Sequence, residues 1–296
     1  MSAALQSAFS VEPLNSGIVI SALTLVIIFG GVHRIAAISS VIVPVMAVGY
    51  IALALFVVLA NIDRIPAVVE QIVGNAFGWH QAVGGGIGTA LMQGIKRGLF
   101  SNEAGMGSAP NAAATAHVTH PAKQGFIQAL GVFTDTLLIC SCTAFIILFG
   151  EDYIGSGLDG IQLTQAALTS EVGNIGGIYV AIATLFFAYS SILGNYYYGE
   201  ANIRFFTSRQ WPVVLYRMLV GGMVLFGSLA SLKLVWNLAD VTMALMSICN
   251  LIAIFLLGKY AFRLLDDYLA QKRKGIKSPV FHKEQMKDIE QDLECW

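Results

Sequence analysis

The polar side chains of Ser101, Asn102, Glu103 and Asn111 sit among small residues in FSNEAGMGSAPNAAATA, residues 100–116. Gly105, Gly107 and Pro110 lie among them and weaken any helix that runs through. A helix broken there exposes carbonyls and amides, which protein, water, a solute or an ion must satisfy. Glu103 has two readings. Either it belongs to such a break and its ligand chemistry, or it marks the cytoplasmic boundary of its helix and pairs with Arg97.

Two further clusters lie in apolar surroundings. Asp135 sits in GVFTDTLLICSC, with Gln128 seven residues before it and Cys142 seven after. That spacing predicts one helical face, shared with Gly131 and turned into a bundle. Asp135 then serves either an ion pathway or a structural hydrogen bond to a neighbouring helix. In FAYSSILGNYYYGE, Ser190 and Ser191 are adjacent hydroxyls, with Gly194 and Asn195 one turn later. Small residues let helices approach closely; alternatively, the hydroxyl oxygens are ligands for a hard monovalent cation. Tyr196, Tyr197, Tyr198 and Glu200 read as an inner interfacial belt, Asp240 as a boundary residue, and Asn250 lies mid-way along the last apolar stretch. HExxH, GxSxG and Cys–His arrangements are missing, and the histidines at 33, 80, 117, 120 and 282 fall in predicted loops or tails. The sequence therefore does not read as an enzyme. Cys140, Cys142, Cys249 and Cys295 have no metal-site spacing and read as buried small apolar residues, the first two facing away from each other on one helix.

The elements that position these groups are membrane spans. Apolar residues make up 56% of the chain and charged ones 12%, against about 25% charge in ordinary soluble domains. Mean hydropathy is +0.70. Seven stretches approach the length of a span, about 20 residues: 16–33, 37–60, 84–105, 125–149, 176–200, 213–231 and 235–258. The third is Gly-rich and holds Lys96 and Arg97; the second holds Pro44, a predicted kink. Eight of the 17 Lys and Arg follow residue 258, so the C-terminus is predicted cytoplasmic. Fifteen of the 17 fit one topology with the N-terminus outside, provided Lys96 and Arg97 lie in the inner half of their helix. Residues 65–77 and 160–170 are amphipathic and predicted to lie in the outer interface. The opening residues lack the basic start and apolar core of a secretory leader. Nothing suggests nucleic acid as a partner. A retinal protein would share helix number and orientation, but Lys259 stands at the end of the last stretch, not within it. Polar load at a helix break suits a transporter better.

GLFSNEAGMGSAPNAAATA followed by HPAKQGFIQALGVFTDTLLICSCTAFIIL closely resembles the signature region of the alanine or glycine:cation symporters, also called sodium:alanine symporters. YSSILGNYYYGE and LADVTMALMSICNLIAIFLL match in order and spacing. The resemblance implies an all-α polytopic membrane protein with the LeuT-type fold, five helices plus five in inverted repeat, here incomplete at about seven spans. Residues 1–262 would form the transmembrane bundle and 263–296 a charged, solvated cytoplasmic tail. It further implies import of a small neutral amino acid, alanine or glycine, with Na⁺ (H⁺ in some relatives) and no cofactor. On that likeness 84–105 is similar to the discontinuous sixth core helix and the later stretches to core helices 7 to 10. Gly98, Phe100, Ser101 and Asn102 would approach the amino acid, with Gly98 and Gly105 permitting close backbone contact. Ser190 and Ser191 resemble the hydroxyl pair of core helix 8 that helps hold sodium. Glu103, Asp135, Gln128 and Asn195 remain candidates for an ion pathway or for structural polar contacts.

The first two stretches resemble core helices 4 and 5, and residues 1–60 lack the Gly-rich motif of core helix 1. The expectation is a chain that starts after core helix 3 and does not transport alone, unless another segment supplies the earlier helices. The competing expectation is a non-transporting membrane remnant or the partner subunit of a split transporter.

Overall fold

The structure, a computed structural model, describes residues 1–30, 32–76, 85–150, 157–286 and 288. Its elements are helical: α1 (Ser2–Phe9), α2 (Pro13–Ile28), α3 (Val32–Ala60), α4 (Ile65–Ala76), α5 (Gly85–Asn102), α6 (Ala109–Ala113), α7 (Pro121–Thr134), α8 (Ser141–Phe149), α9 (Gly160–Val172), α10 (Asn174–Phe206), α11 (Gln210–Leu229) and α12 (Leu232–Arg273). Five helical runs among the described residues are long and apolar enough to cross a membrane: Val43–Ala60, Pro121–Phe149, α10, α11 and α12. Among the described residues the architecture is thus all-helical, that of a multi-pass membrane protein. Against seven expected spans, α2 is apolar but only 16 residues long, about 24 Å at 1.5 Å per residue. Gly-rich α5, with its two basic residues, is not among the five. His33, expected in a loop, lies within α3; His80 falls outside the described residues.

Packing divides the chain into two compact units, residues 1–98 with 135–239, and residues 99–134 with 240–296. In the first, α2 and α11 pack through small residues. A Cβ on Gly17 would lie 2.8 Å from Ser228 Cβ, and one on Gly221 would lie 2.9 Å from Leu25 Cδ2. The Ser21 hydroxyl donates to the Gly221 carbonyl at 2.8 Å, so close approach and an interhelical hydrogen bond come together. A second core joins α3, α8, α9 and α10 through Tyr50, Val57, Ile146, Phe149, Leu168 and Val180. Tyr50 and Thr143 share a hydroxyl–hydroxyl bond of 2.7 Å across it.

The predicted interfacial helix at 160–170 forms as α9, but it is part of this core. Thr164, Gln165, Ala167 and Leu168 are buried, and Gln165 Nε2 donates to the carbonyls of Ala4 and Gly177, each at 3.3 Å. Glycines on its neighbours admit the close approach: Cβ atoms on Gly150 and Gly176 would clash with Ala167 and Leu168 of α9. Residues Asp135–Cys140 are π-helical, and this takes Cys142 off the face expected for Asp135. The wider turns shift the register of a seven-residue spacing. Cys142 is buried in the core beside Tyr50, whereas Gln128 and Asp135 are half-buried. Cys249, expected inside, is exposed.

In the second unit the chain beyond residue 262 is not simply solvated. α12 continues to Arg273, and the segment after it turns back, burying Phe281 and Met286. Gln271 holds Val280 at both backbone groups, donating to its carbonyl at 2.8 Å and accepting from its N–H at 3.0 Å. Thr119 donates its hydroxyl to the Pro279 carbonyl, and its own carbonyl accepts from Phe281 N–H. His120, fully buried, is the hub. Its Nδ1 accepts from Ala122 N–H, capping α7, and its Nε2 lies 3.1 Å from Asp267 Oδ2. An acceptor Nδ1 leaves the ring proton on Nε2, aimed at the carboxylate. Tyr268 and Phe281 pack edge-on against the ring.

Candidate functional site

The predicted break is present. α5 ends at Asn102, and the backbone turns left-handed at Glu103 (φ 49°), Gly105 (φ 75°) and Gly107 (φ 90°) before α6 starts at Ala109. Two of these positions are glycine, which adopts positive φ without steric cost. Glu103 does so at a cost, and its carboxylate accepts a 2.6 Å bond from the buried Ser108 hydroxyl. That contact closes a ring over the break. Asn111 Nδ2 reaches back to the carbonyls of Gly107 (3.0 Å) and Ser108 (3.3 Å). Asn250 of α12 donates to the Gly105 carbonyl at 3.0 Å. Side chains thus take over hydrogen bonds that the interrupted helix gives up.

Asn250 also fixes where along α12 the break lies. Residues 241–258 contain no charged side chain, and Asn250 is the tenth of these 18. The segment that follows Glu103 packs at the middle of α12's apolar run. In the first unit, the Arg97 guanidinium sits 4.0 Å over the Trp236 ring, near the start of α12.

Of the substrate-facing candidates, Gly98 lies within α5, where an added Cβ would meet nothing within 4 Å. Phe100 and Asn102 are half-buried on the last turn, Ser101 is exposed, and Gly105 is in the break beside Leu251. Ser190 and Ser191 both donate to the Phe187 carbonyl, at 2.8 and 3.0 Å. With their protons committed to the helix, the two oxygens present lone pairs only. Asn195, one turn on, is exposed and lines a cavity of about 550 Å³ with Ile192, Tyr216, Met223 and Ser228.

Of the four residues read as an interfacial belt, Tyr196 and Glu200 are buried in the protein, 2% and 4% exposed, while Tyr197 and Tyr198 are half-buried. Glu200 accepts from Arg204 Nε at 2.7 Å and from Arg217 Nη2 at 3.2 Å. Arg217 Nε donates to the Tyr196 hydroxyl at 2.9 Å, and its guanidinium lies over the Phe29 ring. A carboxylate followed by Arg at i+4 was visible in the sequence; Arg217, on the next helix, was the partner it could not supply. Asn250 was visible too, but only the fold shows what it holds.

The sodium:alanine symporter family model matches residues 1–283. A probable sodium/glutamine symporter of Bacillus subtilis is 53% identical over 296 residues, 100% of this chain and 62% of the relative. An amino-acid carrier protein of the same organism is 51% identical over 294 residues, 99% of this chain and 62% of its own. A sodium/alanine symporter of Methanococcus maripaludis is 40% identical over 258 residues, 86% of this chain and 56% of its own. The chain spans about three fifths of the length of the first two of these. The matched region takes in the broken segment, the hydroxyl pair and Asn250 alike, and on that basis this chain belongs to the sodium:alanine symporter family.

Proposed function

We propose that the chain serves sodium-coupled import of a small neutral amino acid, alanine or glycine, by alternating access. The observation that carries this is the helix break at 103–108, with its carbonyls held by side chains at mid-run of α12. A family of cation-coupled carriers needs a backbone that can meet an amino acid and an ion inside the bilayer, and irregular backbone is tolerated there where it lines such a site. In this reading Gly98, Phe100, Ser101, Asn102 and Gly105 form the substrate-facing segment. Ser190 and Ser191 give oxygens to Na⁺, while Asp135, Gln128 and Asn195 remain polar candidates along the pathway. In this reading the fold is an incomplete LeuT-type inverted repeat of about seven spans, the C-terminus faces the cytoplasm, and residues beyond 262 belong to that side. The name of the Bacillus subtilis relative adds glutamine as a competing substrate, and H⁺ is the competing coupling ion.

The test is uptake of labelled alanine by cells lacking their own carriers and expressing residues 1–296, with glycine and glutamine as competitors and with Na⁺ or the pH gradient removed in turn. Sodium-dependent uptake would carry the reading for this chain, against the expectation from the sequence that it does not transport alone. Asn102→Ala should raise the half-saturating alanine concentration about tenfold, the scale of one lost hydrogen bond. Absence of uptake with the protein in the membrane would overturn the reading for this chain alone and favour a non-transporting partner subunit.

A further inference from the structure

Asn250 has no role in the substrate and ion sets above, yet it makes two contacts with the break at once. Its Nδ2 donates to the Gly105 carbonyl at 3.0 Å. Its Cβ and Cγ fill the space beside Gly107, where an added methyl would lie 3.0 Å from each. Gly105 and Gly107 are the two left-handed glycines of the segment. The third left-handed residue, Glu103, is tied to Ser108 on the segment's far side. The break is therefore fastened twice: within itself by Glu103 and Ser108, and from α12 by Asn250.

We propose that Asn250 is a positioning residue for substrate binding: by holding the Gly105 carbonyl and packing on Gly107, it sets the shape of residues 103–108. This rests on the transport reading for its link to substrate, but not for the fastening itself. The carbonyl it holds lies at the centre of an 18-residue run of α12 with no charged side chain, where water is not at hand to replace the lost donor. Size alone does not explain the residue. Aspartate has the same shape but turns an acceptor toward the carbonyl, so Asn250→Asp separates the hydrogen bond from the packing.

The experiment compares wild type, Asn250→Asp, Asn250→Ala and Asn250→Gln in the purified chain, by backbone hydrogen exchange and by alanine uptake. Exchange at residues 103–111 should quicken about tenfold in Asn250→Ala, the scale set by one hydrogen bond, and further in Asn250→Asp, while 121–134 stays as in wild type. Asn250→Gln, which keeps the donor, should recover part of the protection. In uptake, the half-saturating alanine concentration should rise in the same order with the maximal rate little changed. Unchanged exchange at 103–111 in Asn250→Asp, or equal loosening throughout α7 and α12, would overturn the proposal. So would a fall in maximal rate alone at normal membrane levels. If wild type takes up no alanine but exchange responds as expected, the fastening stands; the transport reading and the substrate role drawn from it fail.

Discussion

Glu200 is buried with two arginines of unequal exposure, and that asymmetry yields a quantitative expectation. Arg204 is 43% exposed and can return to solvent if its partner is lost. Arg217 is 13% exposed, pinned between the Tyr196 hydroxyl and the Phe29 ring, and cannot. Glu200→Gln keeps the shape but leaves the Arg217 cation buried without a counter-charge, a loss of about 3 kcal/mol by the usual cost of breaking a buried pair. In a unit of this size each kcal/mol lowers the melting temperature by about 2–4 °C, so the variant should melt about 6–12 °C below wild type. Arg204→Ala should cost less than about 1 kcal/mol, as exposed pairs do. Replacing both partners, Glu200→Leu with Arg217→Leu, should recover most of the loss, because no charge is then stranded. The assay is thermal unfolding of purified protein in detergent at one fixed heating rate. If Glu200→Gln melts within about 2 °C of wild type, or Arg204→Ala falls as far, the stranded-cation reasoning is refuted.

Two further expectations follow from packing. Gly17→Ala drives a methyl into Ser228 Cβ at the α2–α11 contact and should cost about 1–3 kcal/mol in the same melting assay; a combined Ser228→Gly change should restore part of it, and no loss would mean these helices can separate freely. His120→Ala removes the cap on Ala122 N–H, the Asp267 contact and the seat of Phe281. Trypsin should then cut at Lys274 and Lys277 several-fold faster, and an unchanged rate would show that the segment after α12 is held without the histidine.

Much of the break was legible because its chemistry is local. Gly105, Gly107 and Pro110 oppose a helix through their own backbones, and Ser108 and Asn111 lie within five residues of the groups they satisfy. What was not legible depends on partners far along the chain. Asn250 stands 145 residues from the carbonyl it holds, and Arg217 lies on a different helix from Glu200. Tyr196 and Glu200 looked like belt residues because aromatic and charged types near a span's end fit an interface equally well. The π-helical turns at 135–140 have no reliable signature in residue type, so the predicted face through Cys142 failed. The segment after α12 looked solvated by its charge, while its two anchors, Phe281 and Met286, are single apolar residues in a polar run.

The left-handed Glu103 bears on how the segment changes shape. A side chain at φ 49° carries about 1–2 kcal/mol more energy than in a right-handed turn. Glycine would sit there without that penalty but could not reach Ser108. The resting conformation is therefore like a sprung catch: tension sits in the backbone, and a single hydroxyl–carboxylate contact holds it closed. Any event that withdraws the Ser108 hydroxyl, such as a cation claiming the Glu103 carboxylate, releases that energy toward rearrangement. Within residues 103–108, the one non-glycine residue held left-handed is the place from which such a rearrangement would start.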